Sequence, residues 1–156
     1  RQIIKTRWLK PEETYKAYNF IRKQVQEGRQ VFVIGNGGSA ASSQHWICDF
    51  GKGINVGESK RLRIFSLIDN TALQTALSND ITYDEVFTEQ LKNYLNPGDV
   101  IIGLSVSGNS ENVVRALAYG KKHGARTISI IGNARGRMAE LCGDSPPKLR
   151  IKEVWK

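Results

Sequence analysis

From residue 11 to 28 the stretch PEETYKAYNFIRKQVQEG sets Tyr15, Tyr18, Ile21 and Val25 at intervals of three and four, behind Pro11 and ahead of Gly28. Apolar side chains so spaced share one helical face, and the flanking Pro and Gly mark where such a helix starts and stops. QVFVIG (30–35) has another pattern, an unbroken apolar run that halts at a glycine, as in a strand buried on both faces. A helix over AASSQHWICDF follows, with Ser39 as its expected cap. RIFSLI (63–68) predicts a second strand, TALQTALS a helix, and SND a turn into YDEVFTEQLKNYL, whose apolar side is Val86, Phe87, Leu91, Tyr94 and Leu95. Asn96-Pro97-Gly98-Asp99 stops that helix. DVIIGLS runs into SENVVRALAYGKKHG, which packs through Val113, Val114, Leu117 and Ala118, and TISIIG is the next strand. GRMAELC reads as a short helix, KLRI as a last strand, and KEVWK is too short for a stable closing helix.

Strands and helices alternate, which predicts right-handed crossovers and an α/β fold of three layers, a parallel sheet with helices on both faces. At 156 residues the expectation is one domain over 1–156. Ligands of such sheets bind at the carboxyl ends of the strands.

The chain carries 23 Lys and Arg against 15 Asp and Glu, a net charge of +8. The basic residues are scattered, with no RNP-like aromatic motif, zinc-finger spacing or basic tail, which argues against nucleic acid and suits a phosphorylated small molecule. Cys48 and Cys142 form no CxxC, and no signal-like segment opens the chain, so a reducing, cytoplasmic setting is expected. No apolar run approaches the roughly 20 residues of a membrane-spanning helix.

Two stretches, VFVIGNGGS and VIIGLSVSGNS, repeat one design: a strand that ends in Gly and Ser and enters a helix. Helix starts present unpaired N–H groups, glycines clear the approach, and hydroxyls add donors, so each loop suits a phosphate. An ordinary capped turn explains either loop alone; two after separate strands converge in one crevice. Gly35, Gly37 and Ala40 satisfy GxGxxA, but the next acidic residue at a strand end, Asp69, lies too far along for a dinucleotide fingerprint. The P-loop pattern GxxxxGK[ST] does not occur.

Taken in order, GNGGSAASSQHWICDF, LIDNTALQTALSND and GLSVSGNSENVVRAL resemble the sugar isomerase (SIS) domain family, and within it the phosphoheptose isomerase branch. The resemblance covers about residues 30 to 142 and implies a flavodoxin-like, doubly wound sheet of five parallel strands in a homo-dimer or homo-tetramer. It implies an enediol isomerisation of sedoheptulose 7-phosphate to D-glycero-D-manno-heptose 7-phosphate, feeding heptose synthesis for surface carbohydrate. By motif, Asn36, Gly37 and Gly38 would line the sugar, Ser39, Ser105, Val106, Ser107 and Ser110 the phosphate, and Asn79 and Asp80 the ligand.

His45 and Asp49 stand four apart on one predicted helix and share a face. The resemblance implies that His45 and Asp49 ligate zinc, one ion per site, and that Asp49 is the catalytic base where the family has a longer Glu. A histidine packed beside Trp46 and a solvated helix-end carboxylate are the alternative; Cys48, three residues after His45, could also ligate zinc, but is expected in the core. The family's first long helix and its closing helix, whose Gln and His complete the metal site, are expected to be shortened or missing. The competing function is a non-catalytic SIS module that binds sugar phosphate or a replication initiator.

Overall fold

The computed structural model describes residues 11–53, 60–132, 135–141 and 149–150. β1 (Gln30–Gly35) is buried from Val31 onward and β3 (Val100–Ser105) along its whole length. Runs with no solvent face belong in the middle of a covered sheet, and there the two strands lie side by side, Val31 opposite Val100 and Gly35 opposite Leu104. β2 (Arg63–Ser66) flanks β1, β4 (Arg126–Ile131) flanks β3, and β5 (Leu149–Arg150) adds two residues beyond β4, all parallel. The order β2-β1-β3-β4-β5 is the flavodoxin-like winding, with four strands forming its body and the fifth a short edge.

On one face, α1 (Pro11–Gln26) and α2 (Gly38–Cys48) bring Phe20, Ile21, Val25, Trp46 and Ile47 against Val31, Val33, Ile64, Val100, Ile102 and Ile128. On the other, α4 (Val86–Tyr94), α5 (Glu111–Lys122) and α6 (Met138–Leu141) pack Phe87, Leu91, Val113, Leu117 and Met138 over Phe32, Ile34 and Ile101. α3 (Thr71–Asp80) lies at the margin and lends Leu77 to this core. Among the described residues no helix is long and apolar enough to cross a membrane.

Several expected core positions face water. Tyr15 and Tyr18 are 65% and 58% exposed and stack on each other, because α1 docks through Phe20, Ile21 and Val25 in its second half. Tyr94 and Ala118 are exposed as well. In α5 the stripe that starts at Val113 continues through Ala116, Leu117 and Gly120, which leaves Ala118 on the far side. The second strand ends at Ser66, two residues earlier than its apolar pattern suggests. The expected turn at 78–80 is instead the last turn of α3. KEVWK lies outside the described residues.

Close packing of α5 depends on Gly103 in β3. A Cβ there would stand 2.8 Å from Val113 Cγ1 and 3.0 Å from both Leu117 Cδ1 and Met138 Cε. Gly103→Ala is therefore expected to destabilise the fold by about 1–3 kcal/mol in urea denaturation, the cost of overpacking a filled core; a midpoint equal to wild type would show that α5 shifts freely.

Candidate active site

β1 leads through α2 to β2 on one side, and β3 leads through α5 to β4 on the other. The two connections part where they leave the sheet, and the opening between them is the switch-point crevice of a doubly wound fold. Asn36, Gly37 and Gly38 form its first wall. Gly37 is the N-cap of α2 at φ 53°, ψ −120°, a backbone shape that side chains oppose. At Gly35 a Cβ would come within 2.8 Å of Ser39 Cβ and 3.0 Å of the Leu104 carbonyl, so glycine lets α2 start directly against the strand ends.

Ser39, expected to cap α2, does not. It sits inside the first turn with its N–H donated to the Asn36 carbonyl at 2.9 Å, and no side chain caps the helix. Glycine at the cap keeps a Cβ and its substituents away from the helix start, where an anion is favoured.

The second wall is a knot of hydroxyls. Ser105 Oγ, 6% exposed, takes the Gly108 N–H at 3.1 Å and lies 3.0 Å from Ser110 Oγ and 3.4 Å from Ser107 Oγ. Ser110 is the N-cap of α5, yet its hydroxyl turns to Ser105 and makes no cap bond. Ser107 Oγ accepts from the Asn109 N–H at 3.2 Å, and the Val106 side chain points to solvent. Behind this loop Gly136 packs so tightly that a Cβ would approach Gly108 Cα to 2.7 Å. The Met138 N–H donates to the Gly108 carbonyl at 3.0 Å and the Arg137 N–H to Asn109 Oδ1 at 2.9 Å.

The walls are tied together. Asn36 and Asn112 exchange two amide hydrogen bonds, of 2.8 and 3.0 Å, across 76 positions of sequence. The Tyr83 hydroxyl donates to Asn36 Oδ1 at 2.9 Å, and its ring lines a neighbouring cleft of about 510 Å³ with Ile68, Thr71, Gln74, Thr75, Ser78 and Asn79. Asn79 thus reaches the cleft beside the crevice, while its amide donates to Asp80 Oδ1 at 2.8 Å.

Asn112 and Tyr83 were not among the residues the sequence singled out. Signals existed: Asn112 is a carboxamide set between buried positions in the first turn of α5, and Tyr83 follows the SND stretch closely. What neither pattern contains is the partner.

His45 and Asp49 do meet, with His45 Nε2 3.4 Å from Asp49 Oδ2 and both side chains largely exposed, 73% and 55%. Trp46, Ile47 and Phe50 take the sheet side of this helical stretch. Cys48 is exposed and free, since it lies on the outer side, contrary to the core position expected for it. Among the described residues no group of three or more His, Cys, Asp or Glu converges. Two donors of imidazole and carboxylate type suit zinc in kind but are too few to hold it, as zinc needs at least three protein ligands.

Glu111, in the first turn of α5, brings negative charge close to the hydroxyl loop. Arg115 meets it at 2.9 Å, Arg137 pairs with it from the other side, and Arg115 also binds Glu85 at 2.6 Å. Hydrogen bonds from Arg115 and Arg137 hold the Glu111 carboxyl below its ordinary value of 4.5. These two cations offset a carboxylate that would otherwise repel an anion in the crevice.

A sequence profile for the SIS domain matches residues 4–132. The chain belongs to the SIS domain family. It is 42% identical over 118 residues to a probable phosphoheptose isomerase of Thermoplasma volcanium, covering 76% of this chain and 60% of that protein. Against the phosphoheptose isomerase of Aliarcobacter butzleri, this SIS domain is 37% identical over 131 residues, 84% of this chain and 69% of the other. Among solved structures, phosphoheptose isomerase GmhA from Neisseria gonorrhoeae superimposes with a TM-score of 0.83 at 29% identity, over 94% of this chain and 76% of that one. The chain thus spans somewhat less than two thirds of the Thermoplasma volcanium protein and little more than two thirds of the Aliarcobacter butzleri one.

A lowered carboxyl favours the folded state above its unfolded value, and that contribution disappears as pH falls through the folded value. Carboxyl-detected NMR is therefore expected to find Glu111 titrating below pH 4.5 in the native protein and moving up in Arg115→Met. An unmoved Glu111 in that variant would show that Arg115 does not set its charge.

Proposed function

We propose that this chain is an aldose–ketose isomerase that converts sedoheptulose 7-phosphate to D-glycero-D-manno-heptose 7-phosphate for surface carbohydrate synthesis. The observation that carries this reading is the Ser105, Ser107 and Ser110 hydroxyl knot, held opposite the Asn36-Gly37-Gly38 loop by the Asn36–Asn112 bonds. Supporting it are the relatives named phosphoheptose isomerase, at 42% and 37% identity.

In this reading the phosphate rests on the serine loop, where hydroxyls, backbone N–H groups and the start of α5 favour a dianion. The uncapped start of α2, with Gly37, Gly38 and Ser39, faces the same ligand. Asn36, Asn79 and Asp80 meet the hydroxylated chain. Isomerisation takes a proton from C1 of the ketose and returns it to C2, while O1 loses a proton and O2 gains one. Asp49 is the base, and His45 at 3.4 Å orients it. Its side chain is one methylene shorter than Glu, so the sugar has to come to it. Zinc would find His45 and Asp49 as two of its ligands; no step here is assigned to it. A cytoplasmic homo-oligomer completes the reading, and the free, exposed Cys48 fits a reducing compartment.

The test is incubation of the purified protein with sedoheptulose 7-phosphate in D₂O, with and without added zinc, followed by NMR. The expected result is an aldose 7-phosphate deuterated at C2. Asp49→Asn should lower kcat by about 10²–10⁴-fold, and Ser107→Ala should raise KM roughly tenfold. Normal binding of the sugar with no turnover in either condition would falsify the isomerase and leave a sugar-phosphate-binding SIS module.

A further inference from the structure

The chain of bonds through Asn36 has a direction, and one backbone group sets it. The Val113 N–H donates to Asn112 Oδ1 at 2.9 Å; a backbone N–H can only donate, so the atom it meets is the amide oxygen. The nitrogen of Asn112 then faces Asn36 and donates to its Oδ1 at 3.0 Å, and Asn36 Nδ2 donates back to Asn112 Oδ1 at 2.8 Å. Tyr83 adds a second donor to Asn36 Oδ1 at 2.9 Å. Turning the Asn36 amide over would set its nitrogen against the Asn112 nitrogen and replace two attractive contacts by a donor–donor clash. Asn112 is 2% exposed and Tyr83 51%, so the relay is anchored in the core at one end and reaches the cleft at the other.

We propose that Asn112 and Tyr83 are positioning residues for Asn36. Together they hold its carboxamide in a single orientation, in which the second Nδ2 hydrogen, without a partner among the described residues, is presented to an oxygen of the bound sugar phosphate. The identity of that ligand rests on the isomerase reading; the lock itself does not. Both residues act through Asn36 and touch neither reacting carbon.

Two variants separate the lock from simple damage to the fold. Tyr83→Phe removes one donor to Asn36 Oδ1. Asn112→Asp removes the other and keeps an acceptor for the Val113 N–H. Thermal melting establishes that each is folded, and ¹⁵N NMR follows the Asn36 side-chain amide. In the wild type, two resolved Nδ2 hydrogens are expected, the one bonded to Asn112 exchanging slowly and the other moving when sedoheptulose 7-phosphate is added. In Tyr83→Phe the carboxamide loses one of the two donors to its Oδ1 and should turn more freely, and solvent exchange of its bonded Nδ2 hydrogen should speed up by about tenfold; in Asn112→Asp that hydrogen keeps a carboxylate acceptor, and the variant is read by its kinetics. kcat/KM should fall by a similar factor, and neither variant should lower it further in an Asn36→Ala background. Equal losses in both backgrounds, a Tyr83→Phe amide signal that exchanges as in wild type, or wild-type signals indifferent to the sugar phosphate each overturn the proposal. A wild type whose Asn36 signal moves with the sugar but which turns over none keeps the lock and removes the isomerase reading. Turnover with unaltered Asn36 exchange in Tyr83→Phe does the reverse.

Discussion

The register that sets Val31 beside Val100 and Gly35 beside Leu104 ends β1 and β3 at the same height, so the loops that follow them start side by side. The chain then winds away in opposite directions, which opens a crevice between the two connections that Asn36 and Asn112 bridge. A slip of one residue would turn every side chain of β1 to the opposite face of the sheet and carry Asn36 away from Asn112. The large apolar residues on both faces of these strands oppose that slip, which makes the hydrophobic core the guarantor of the site's geometry.

Above the apolar layers, the carboxyl end of the sheet is finished in small and polar residues that are buried or half-buried and bonded. Gln74 and Gln90 both donate to the Leu67 carbonyl, at 2.8 and 3.0 Å, and Ser43 meets Ser66 at 3.4 Å across α2 and β2. Ser105 and Asn112 are buried in the same way, with several partners each. Buried polar groups left unpaired are costly, so each of these contacts penalises any other arrangement of the loops. The site is stiff for the same reason that it is stable.

Electrostatics add a second condition. The start of α5 carries a glutamate inside its first turn, and the carboxylate suits the helix dipole but would oppose an anion in the crevice. Arg115 and Arg137 hold Glu111 ionised while neutralising it, and Arg115 extends the same network to Glu85 and the Tyr83–Glu85 turn. The net charge of +8 says nothing of this arrangement, which depends on where Glu85, Glu111, Arg115 and Arg137 fall.

Periodicity and punctuation made the layers of the fold legible: short apolar runs without a polar face, bounded by turn residues, suit central strands, and the Gly and Ser residues that follow them marked both loops of the crevice. The spacing of His45 and Asp49 gave their contact, because i and i+4 on a helix are neighbours whatever the rest of the chain does. Tyr15, Tyr18 and Ala118 escaped this reasoning, since a helix's own pattern does not say how much of it the sheet will cover. Ser39 escaped it too, since the cap passed to Gly37 when α2 was drawn tight against Gly35. The Asn36, Asn112 and Tyr83 relay belonged wholly to the tertiary structure: its members are separated by 47 and 76 positions, the pairing of β1 with β3 brings Asn36 to Asn112, and the packing of the Tyr83–Glu85 turn on α5 adds Tyr83. Local interactions repeat at short intervals and can be read from the letters, whereas a hydrogen bond between distant residues exists only after the sheet has chosen which strands are neighbours.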